Sequence, residues 1–266
     1  MPYSKFASYK LLIMGDADRQ EKDWYKDWFN ATYYHILYAD RNEEEAADFI
    51  KLLIKYLHPH TEAKMLDIAC GKGRHSIMLA NLHFNVTGID ISPNSIQEAN
   101  LAAHDKLEFF IHDMRLSFRI NYYDFAFNFF TSFGYFDSRK EHQKALHNMS
   151  LSVKPGGIFV MDYLNPNYTI QHLQKTSVIK KENILFNISR WSDDDYIYKK
   201  ISIDDASTKV PLVFMEKVAN FNLDDFTELF QENGLTIKEV FGNYQLEPFD
   251  AIHSPRMIMI AQKDPA

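Results

Sequence analysis

The stretch MLDIACGKGRHSIMLA, residues 65–80, begins as a buried strand, breaks at two glycines and resumes as a helix. Met65 to Ile68 is the strand, Cys70-Gly71-Lys72-Gly73 the loop, and the helix runs from about Gly73 to Asn81. Glycine in such a loop lets backbone come close to a ligand, because no Cβ stands in the way. The dinucleotide fingerprint G-x-G-x-x-G is incomplete here, since Ser76 stands at the third glycine position. Asp67 inside the apolar run would repel a pyrophosphate and favours a ligand bearing an ammonium group.

Outward from this unit, short apolar runs alternate with helical stretches. Residues 24–57 are helical in pattern, with Asn42 as a cap before Glu43–Glu45 and with Ala46, Ile50, Leu53 and Leu57 at helical spacing. NVTGID (85–90) is a second strand, and Ser92-Pro93 opens a helix to about Ala103. LEFFI (107–111), YDFAFNFF (123–130) and GIFVMDYL (157–164) are the next strands, with a helix over about Arg139–Ser152 and a turn at Lys154–Gly157. Strands separated by helices imply right-handed crossovers and a parallel sheet covered on both faces. From about 176 to 219 the pattern alternates as in antiparallel strands, turning at Asp193–Asp195. A helix at 222–234 and the strands TIKEVFGNY and RMIMIAQK close the chain. The expected division is a domain of residues 1–165 and 216–266, interrupted by an antiparallel subdomain of 166–215.

Ligands of an open parallel sheet bind beyond the carboxyl ends of its strands, where strand order reverses. That rule singles out Gly71 and Gly73, Asp90 ending the second strand, Asp113 after the third, and Asn128 to Tyr135 after the fourth. Asp90 is placed to accept from both hydroxyls of a ribose. Asp113 with Met114 offers an acceptor for an exocyclic amine beside an apolar wall for a flat ring. Ammonium, ribose and adenine together describe S-adenosylmethionine better than NAD.

In order, LDIACGKGRHS, VTGIDIS, FFIHDMR, YDFAFNFFTSFGYF, the turn Val153–Gly157 and DYLNP resemble the class I S-adenosylmethionine-dependent methyltransferases, in particular the small-molecule type with a β insertion. The resemblance covers roughly residues 24–165 and 220–263. It implies a Rossmann-like, seven-stranded, mostly parallel α/β sheet with one antiparallel strand, and methyl transfer to a small-molecule acceptor. It assigns Asp67, Gly71 and Gly73 to the methionyl end, Asp90 to ribose, and Asp113 and Met114 to adenine, with Ala69, Ile91 and Asn128 completing the cofactor side. Ala69-Cys70 stands where the family often carries a further glycine. In relatives of this architecture the leading helices close over the cofactor, which makes Tyr33, Tyr34 and Arg41 lid candidates. Phe133 and Tyr135 are the candidates on the substrate side.

Simpler roles compete at several positions. Cys70 reads as a small filler with no base beside it, and Lys72, Arg74 and His75 as surface side chains at a helix start. Asp193–Asp195 reads as a solvated turn. His58-x-His60 has no acidic or cysteine partner at ligand spacing, so no metal is expected. No G-x-S-x-G occurs, which argues against a nucleophile-elbow hydrolase. His35, Tyr135 and His253 could act as a base, and the sequence selects none of them.

Composition narrows the partners. The chain has 266 residues, 46% hydrophobic and 15% aromatic, with a formal net charge of −7. No basic stripe with interleaved aromatics is present, so no nucleic-acid partner is expected. One cysteine allows no internal disulfide and suits a reducing, cytoplasmic setting. The early apolar run Leu11–Met14 is too short for a signal peptide, and no run is long enough to span a membrane. The expected state is a monomer or homodimer. Two rival readings are an NAD-dependent oxidoreductase, disfavoured by Ser76 and Asp67, and a non-catalytic cofactor-binding module.

Overall fold

The structure, a computed structural model, describes residues 23–39, 43–208 and 212–265. The chain opens with α1 (Trp24–Asn30), α2 (Thr32–Leu37) and α3 (Glu43–Leu57). Then come β1 (Lys64–Ile68), α4 (Arg74–Asn81), β2 (Asn85–Asp90), α5 (Pro93–Ala99), β3 (Leu107–Ile111), β4 (Tyr123–Asn128), α6 (Arg139–Ser152) and β5 (Val153–Leu164). After α7 (Pro166–Gln171) follow β6 (Thr176–Lys181), β7 (Ile184–Ser192), β8 (Tyr196–Asp205) and β9 (Leu212–Ala219). The chain ends with α8 (Leu223–Gln231), β10 (Leu235–Phe241) and β11 (Arg256–Lys263).

The main sheet has seven strands in the order β10-β11-β5-β4-β1-β2-β3, and β11 alone runs against its neighbours. This is the α/β architecture that the alternation of strands and helices predicts. Side chains alternate between two apolar clusters, one on each face. Leu66, Ile68, Phe159, Met161, Met257 and Met259 enter one, and Met65, Val160, Ile258 and Ile260 the other. Asp67 shares the face of Met65, the face that α4 covers. The order reverses between β1 and β4, so the crevice lies beyond Ile68 and Asn128.

The separate sheet β6-β7-β8-β9 is antiparallel throughout. Its inward-facing Phe186, Ile188, Ile201 and Ile203 join the cluster that holds Leu66 and Phe159. Its last strand runs to Ala219, beyond the expected limit at 215. Asp193 Oδ1 accepts the backbone N–H groups of Asp195 and Tyr196 at 2.9 and 2.7 Å, the solvated turn expected there.

Several local expectations are corrected. The helical pattern over 24–57 is three helices: Ala31, extended at φ −75° and ψ 139°, parts the first two, and α2 ends at Leu37 before α3 begins at Glu43. That break frees Asn30 to grip the start of α5: its Oδ1 accepts from Ser92 Oγ and Asn94 N–H at 2.9 and 3.1 Å. Ser92 caps α5 through Ser95 N–H at 3.2 Å, yet the α-helix ends at Ala99 and continues as one 3₁₀ turn, Asn100–Ala102. The fourth strand stops at Asn128 rather than residue 130, because Phe130 and Thr131 take positive φ. Lys154–Gly157 do not end an element: β5 runs through them, and its register against β4 slips between Tyr123↔Val153 and Phe125↔Ile158. Arg41, Asn42 and Leu11–Met14 lie outside the described residues. Among the described residues no helix is long and apolar enough to cross a membrane, and no group of three or more His, Cys, Asp or Glu could hold a metal ion.

Candidate active site

The two loop glycines serve different ends. Gly73 has φ +81°, and a Cβ there would stand 2.6 Å from Phe109 Cζ, so its bareness lets Phe109 pack beneath the loop. Gly71 has φ +57° with open space where a Cβ would stand, and it lines a cavity of about 940 Å³. Its N–H donates to Asp90 Oδ2 at 2.8 Å, so this amide is committed to Asp90 rather than offered to a ligand. Ala69 also lines the cavity and is left-handed at φ +60°. That conformation costs an L-residue roughly 1–2 kcal/mol, part of which a glycine gives back as unfolded-chain entropy. Ala69→Gly is therefore expected to stabilise the fold by roughly 0.5–1 kcal/mol. A shift of the urea midpoint to higher concentration at unchanged m-value is the check.

Asp90 ends β2 and is buried. Its Oδ1 accepts Ser92 N–H and its Oδ2 accepts Gly71 N–H, each at 2.8 Å. Burial raises its pKa, and these backbone N–H groups with that of Ile91 hold the rise in check. A carboxylate has about four acceptor positions, so two remain for hydroxyls in the cavity that Asp90 and Ile91 line.

Asp67 is buried and absent from the cavity wall. Ser76 Oγ donates to its Oδ2 at 2.6 Å, which gives the serine at the third glycine position a task the sequence did not reveal. Burial pushes its pKa up to about 7, and the charge of Asp90 adds to that rise against the Ser76 hydrogen bond. Across the switch point, Asn128 Nδ2 donates to Ile68 O at 3.0 Å and ties β4 to β1. Asn128, like Asp67, is absent from the cavity wall, next to the wall residue Phe129, and its Oδ1 is buried with no hydrogen-bond partner among the described residues. An unsatisfied buried acceptor suits a donor such as an ammonium group. Two free acceptor positions on Asp90 suit a diol. These acceptors thus fit the ribose and ammonium of S-adenosylmethionine.

Asp113 and Met114 both line the cavity. Asp113 is gripped by Arg115, whose Nη2 meets its Oδ2 at 2.7 Å and whose backbone N–H meets its Oδ1 at 2.9 Å. Burial would raise the Asp113 pKa, but these bonds outweigh it and hold the carboxyl below the usual range. Arg115 also reaches Asp23 at 3.1 Å and Glu141 at 3.4 Å.

Past β4 the chain bends through Phe130 and Thr131 at φ +60° and +58°. Left-handed backbone at a β-branched residue is a strained conformation, about 1–3 kcal/mol each. Tyr135 lines the cavity and its hydroxyl donates to Thr131 O. Phe133 does not line it: it is fully buried beside Phe136, His142, Phe221 and Phe226. Of the lid candidates Tyr34 is on the wall, whereas the Tyr33 hydroxyl donates to Asp205 Oδ2 at 2.8 Å on β8.

Other wall residues escaped the sequence. His75 is 8% exposed with its ring 4.8 Å from that of Phe129, and Arg74 also lines the cavity, so neither is a plain surface side chain. Lys72 also lines the cavity, where its ammonium pairs with Glu98 at 2.8 Å. Cys70 is buried and its thiol pKa is pushed up by burial, as fits a filler. His35 is on the wall, while His253 is exposed and pairs with Asp250 at 3.0 Å. Glu216 of β9 enters from the separate sheet, its Oε1 accepting from Trp28 Nε1 at 2.8 Å and Tyr38 OH at 2.7 Å.

A strand–loop–helix cradle at the switch point, an acid at the end of β2 and a seven-stranded sheet with one reversed strand define a methyltransferase-type fold. Residues 59–234 match the family described as "Methyltransferase domain", and the chain belongs to that family. Glycine N-methyltransferase of Rattus norvegicus is 27% identical over 178 residues, which cover 61% of this chain and 60% of that protein. The chain thus spans about 60% of the length of that relative. Two solved structures share the fold. An S-adenosylmethionine-dependent methyltransferase from Clostridium acetobutylicum superposes with a TM-score of 0.73 at 18% identity, covering 87% of this chain and 96% of that one. A sugar N-methyltransferase from Streptoalloteichus sp. gives 0.68 at 17% identity, covering 98% and 100%.

Proposed function

We propose that this chain transfers the methyl group of S-adenosylmethionine to the nitrogen of a small-molecule amine. Asp90 holds the ribose, Asp113 and Met114 the adenine beside Ile91, and Ala69 and Gly71 shape the methionyl end, with Gly73 acting through its packing on Phe109. Asn128 and Asp67 favour the ammonium. Bound there, S-adenosylmethionine supplies a methyl already activated by a sulfonium.

The observation that carries the amine is Glu216. Its carboxylate stands on the cavity wall with Phe29, Tyr34, Tyr38 and Tyr135, whose neighbouring rings lie 5.0–5.1 Å apart. Carboxylate and aromatic faces together favour a cation. Trp28 and Tyr38 fix Oε1, and the Lys199 ammonium is 3.6 Å from Oε2, a long ion pair that an incoming amine can share. The names of the rat and Streptoalloteichus proteins, each an N-methyltransferase, support the same reading. An acceptor ammonium must lose one proton before its lone pair can attack, and Glu216 is the group placed to take it. Aligning the two reactants in the cavity supplies roughly 7–11 kcal/mol of the barrier as proximity.

The inserted unit then runs from 166 to Ala219 rather than to 215, and β9 roofs the acceptor end. The net charge of −7 supports a partner other than nucleic acid, and the single cysteine a cytoplasmic setting. A monomer or homodimer is proposed, which light scattering reads directly.

The test is methyl transfer to a panel of glycine, amino sugars, alcohols and carboxylic acids. Amines are expected to be methylated, with Glu216→Gln lowering kcat/KM at least tenfold and leaving cofactor affinity within threefold. Methylation of alcohols or acids with amines inert would overturn the amine, and so would an unaffected Glu216→Gln.

A further inference from the structure

Asp162, near the C-terminal end of β5, is a fully buried carboxylate that the proposed chemistry does not use. Its Oδ2 accepts the N–H of Phe130 at 2.8 Å and the hydroxyl of Tyr244 at 3.1 Å. Its Oδ1 accepts Arg256 Nε at 2.8 Å and Nη2 at 2.7 Å, and its main-chain oxygen accepts Thr131 N–H at 2.9 Å. Arg256 Nη2 also donates to Thr131 Oγ1 at 3.0 Å, which accepts Leu164 N–H at 3.0 Å as well. The guanidinium carbon lies 5.8 Å from the centre of the Phe130 ring. Asp162 and Arg256, themselves joined, thus each reach one or both of two consecutive residues held left-handed without being glycine.

We infer that Asp162 and Arg256 are positioning residues: the pair holds the Phe130–Thr131 turn against the methyl-bearing end of the cofactor. The inference rests on the proposed methyl-transfer reading. The turn leaves β4 at the switch point, and Phe130, Thr131 and Arg256 all stand on the cavity wall. The pair adds to the hydrogen bonds that Thr131 accepts from the Tyr135 hydroxyl and the Leu164 N–H, and its loss lets the turn relax toward φ below zero. Strain maintained by an ion pair whose carboxylate is fully buried marks a place where geometry is being held for use. A mere structural bridge would have no need of it.

The test compares S-adenosylmethionine with S-adenosylhomocysteine, which differ only in the methyl and the sulfonium charge. Binding of both to the full chain is measured by calorimetry for wild type, Asp162→Asn and Arg256→Lys. Affinity for S-adenosylmethionine is expected to fall at least tenfold in each variant, with S-adenosylhomocysteine changed less than threefold. Replacing Thr131 by Gly in the Arg256→Lys background supplies a residue that takes the left-handed conformation freely, and is expected to recover at least threefold. Equal losses for both ligands, or no recovery, would make the pair a structural bridge and overturn the inference. Tyr244→Phe removes a single donor and serves if the buried variants fail to fold; an unchanged affinity ratio there would also overturn it. Wild-type protein that binds neither ligand would bring down the cofactor reading itself, an outcome distinct from unchanged variants of a binding wild type.

Discussion

Asp90→Ala is expected to weaken S-adenosylmethionine binding by at least 100-fold. The carboxylate already anchors Gly71 and Ser92 through one lone pair on each oxygen, leaving a second pair on each for the ribose diol. Hydrogen bonds to a charged group contribute about 1.5–3 kcal/mol each, and two of them exceed the roughly 2.7 kcal/mol that 100-fold requires. The substitution also frees the Gly71 amide, so the loop itself loosens. Asp90→Asn keeps one acceptor oxygen and offers hydrogens from its amide, and an intermediate, roughly tenfold loss is expected. Calorimetric titration of the three proteins is the measurement. Binding by Asp90→Ala within threefold of wild type would show that the ribose lies elsewhere.

Asp67→Asn is expected to make the ligand-free protein more stable and a poorer binder at once. The folded pKa of Asp67, about 7, stands above its ordinary value of 3.8. Between those values the folded chain keeps a proton that the unfolded chain has released. Stability from this group therefore falls as pH rises through the window and stays low above it. Asparagine never ionises, so its advantage is largest above pH 7, on the order of 2–4 kcal/mol, and fades as pH falls toward 4. It still offers Ser76 an acceptor. With the negative charge gone, affinity for the cofactor's ammonium at pH 8 is expected to drop about tenfold. Urea denaturation at pH 5 and pH 8 reads the first effect. An advantage equal at the two pH values would show that burial of charge at Asp67 is not the cause.

Much of the frame was open to inspection in the residues alone. The strands of the main sheet are near-continuous apolar runs, and the Ser92 cap is a local signal that needs no tertiary knowledge. Asp67 stood out for the same local reason, a carboxylate in an apolar strand. Asp162 carries that identical signal within DYLNP and was readable by the same rule. Glu216 was not readable: in an alternating strand every charged side chain looks solvent-facing, and only the placing of β9 against α1 and Tyr38 turns this one inward. The aromatic run after β4 misleads because the chain there is bent, so that Phe133 enters the core while Tyr135 faces the cavity. The left-handed state of Ala69, Phe130 and Thr131 left no trace in composition, since none of them is a residue that favours it. Asp113 looked like an open acceptor because nothing in the spacing says that Arg115, two residues on, folds back to grip it.

Helix α1 is only seven residues long, yet it is fastened at two places. Trp28 reaches Glu216 at the acceptor end, and Asn30 holds the start of α5 beside Asp90 at the cofactor end. A single short element shared by two binding sites makes them thermodynamically partners. A ligand that tightened α1 at one end would strengthen binding at the other, by the same factor in either direction.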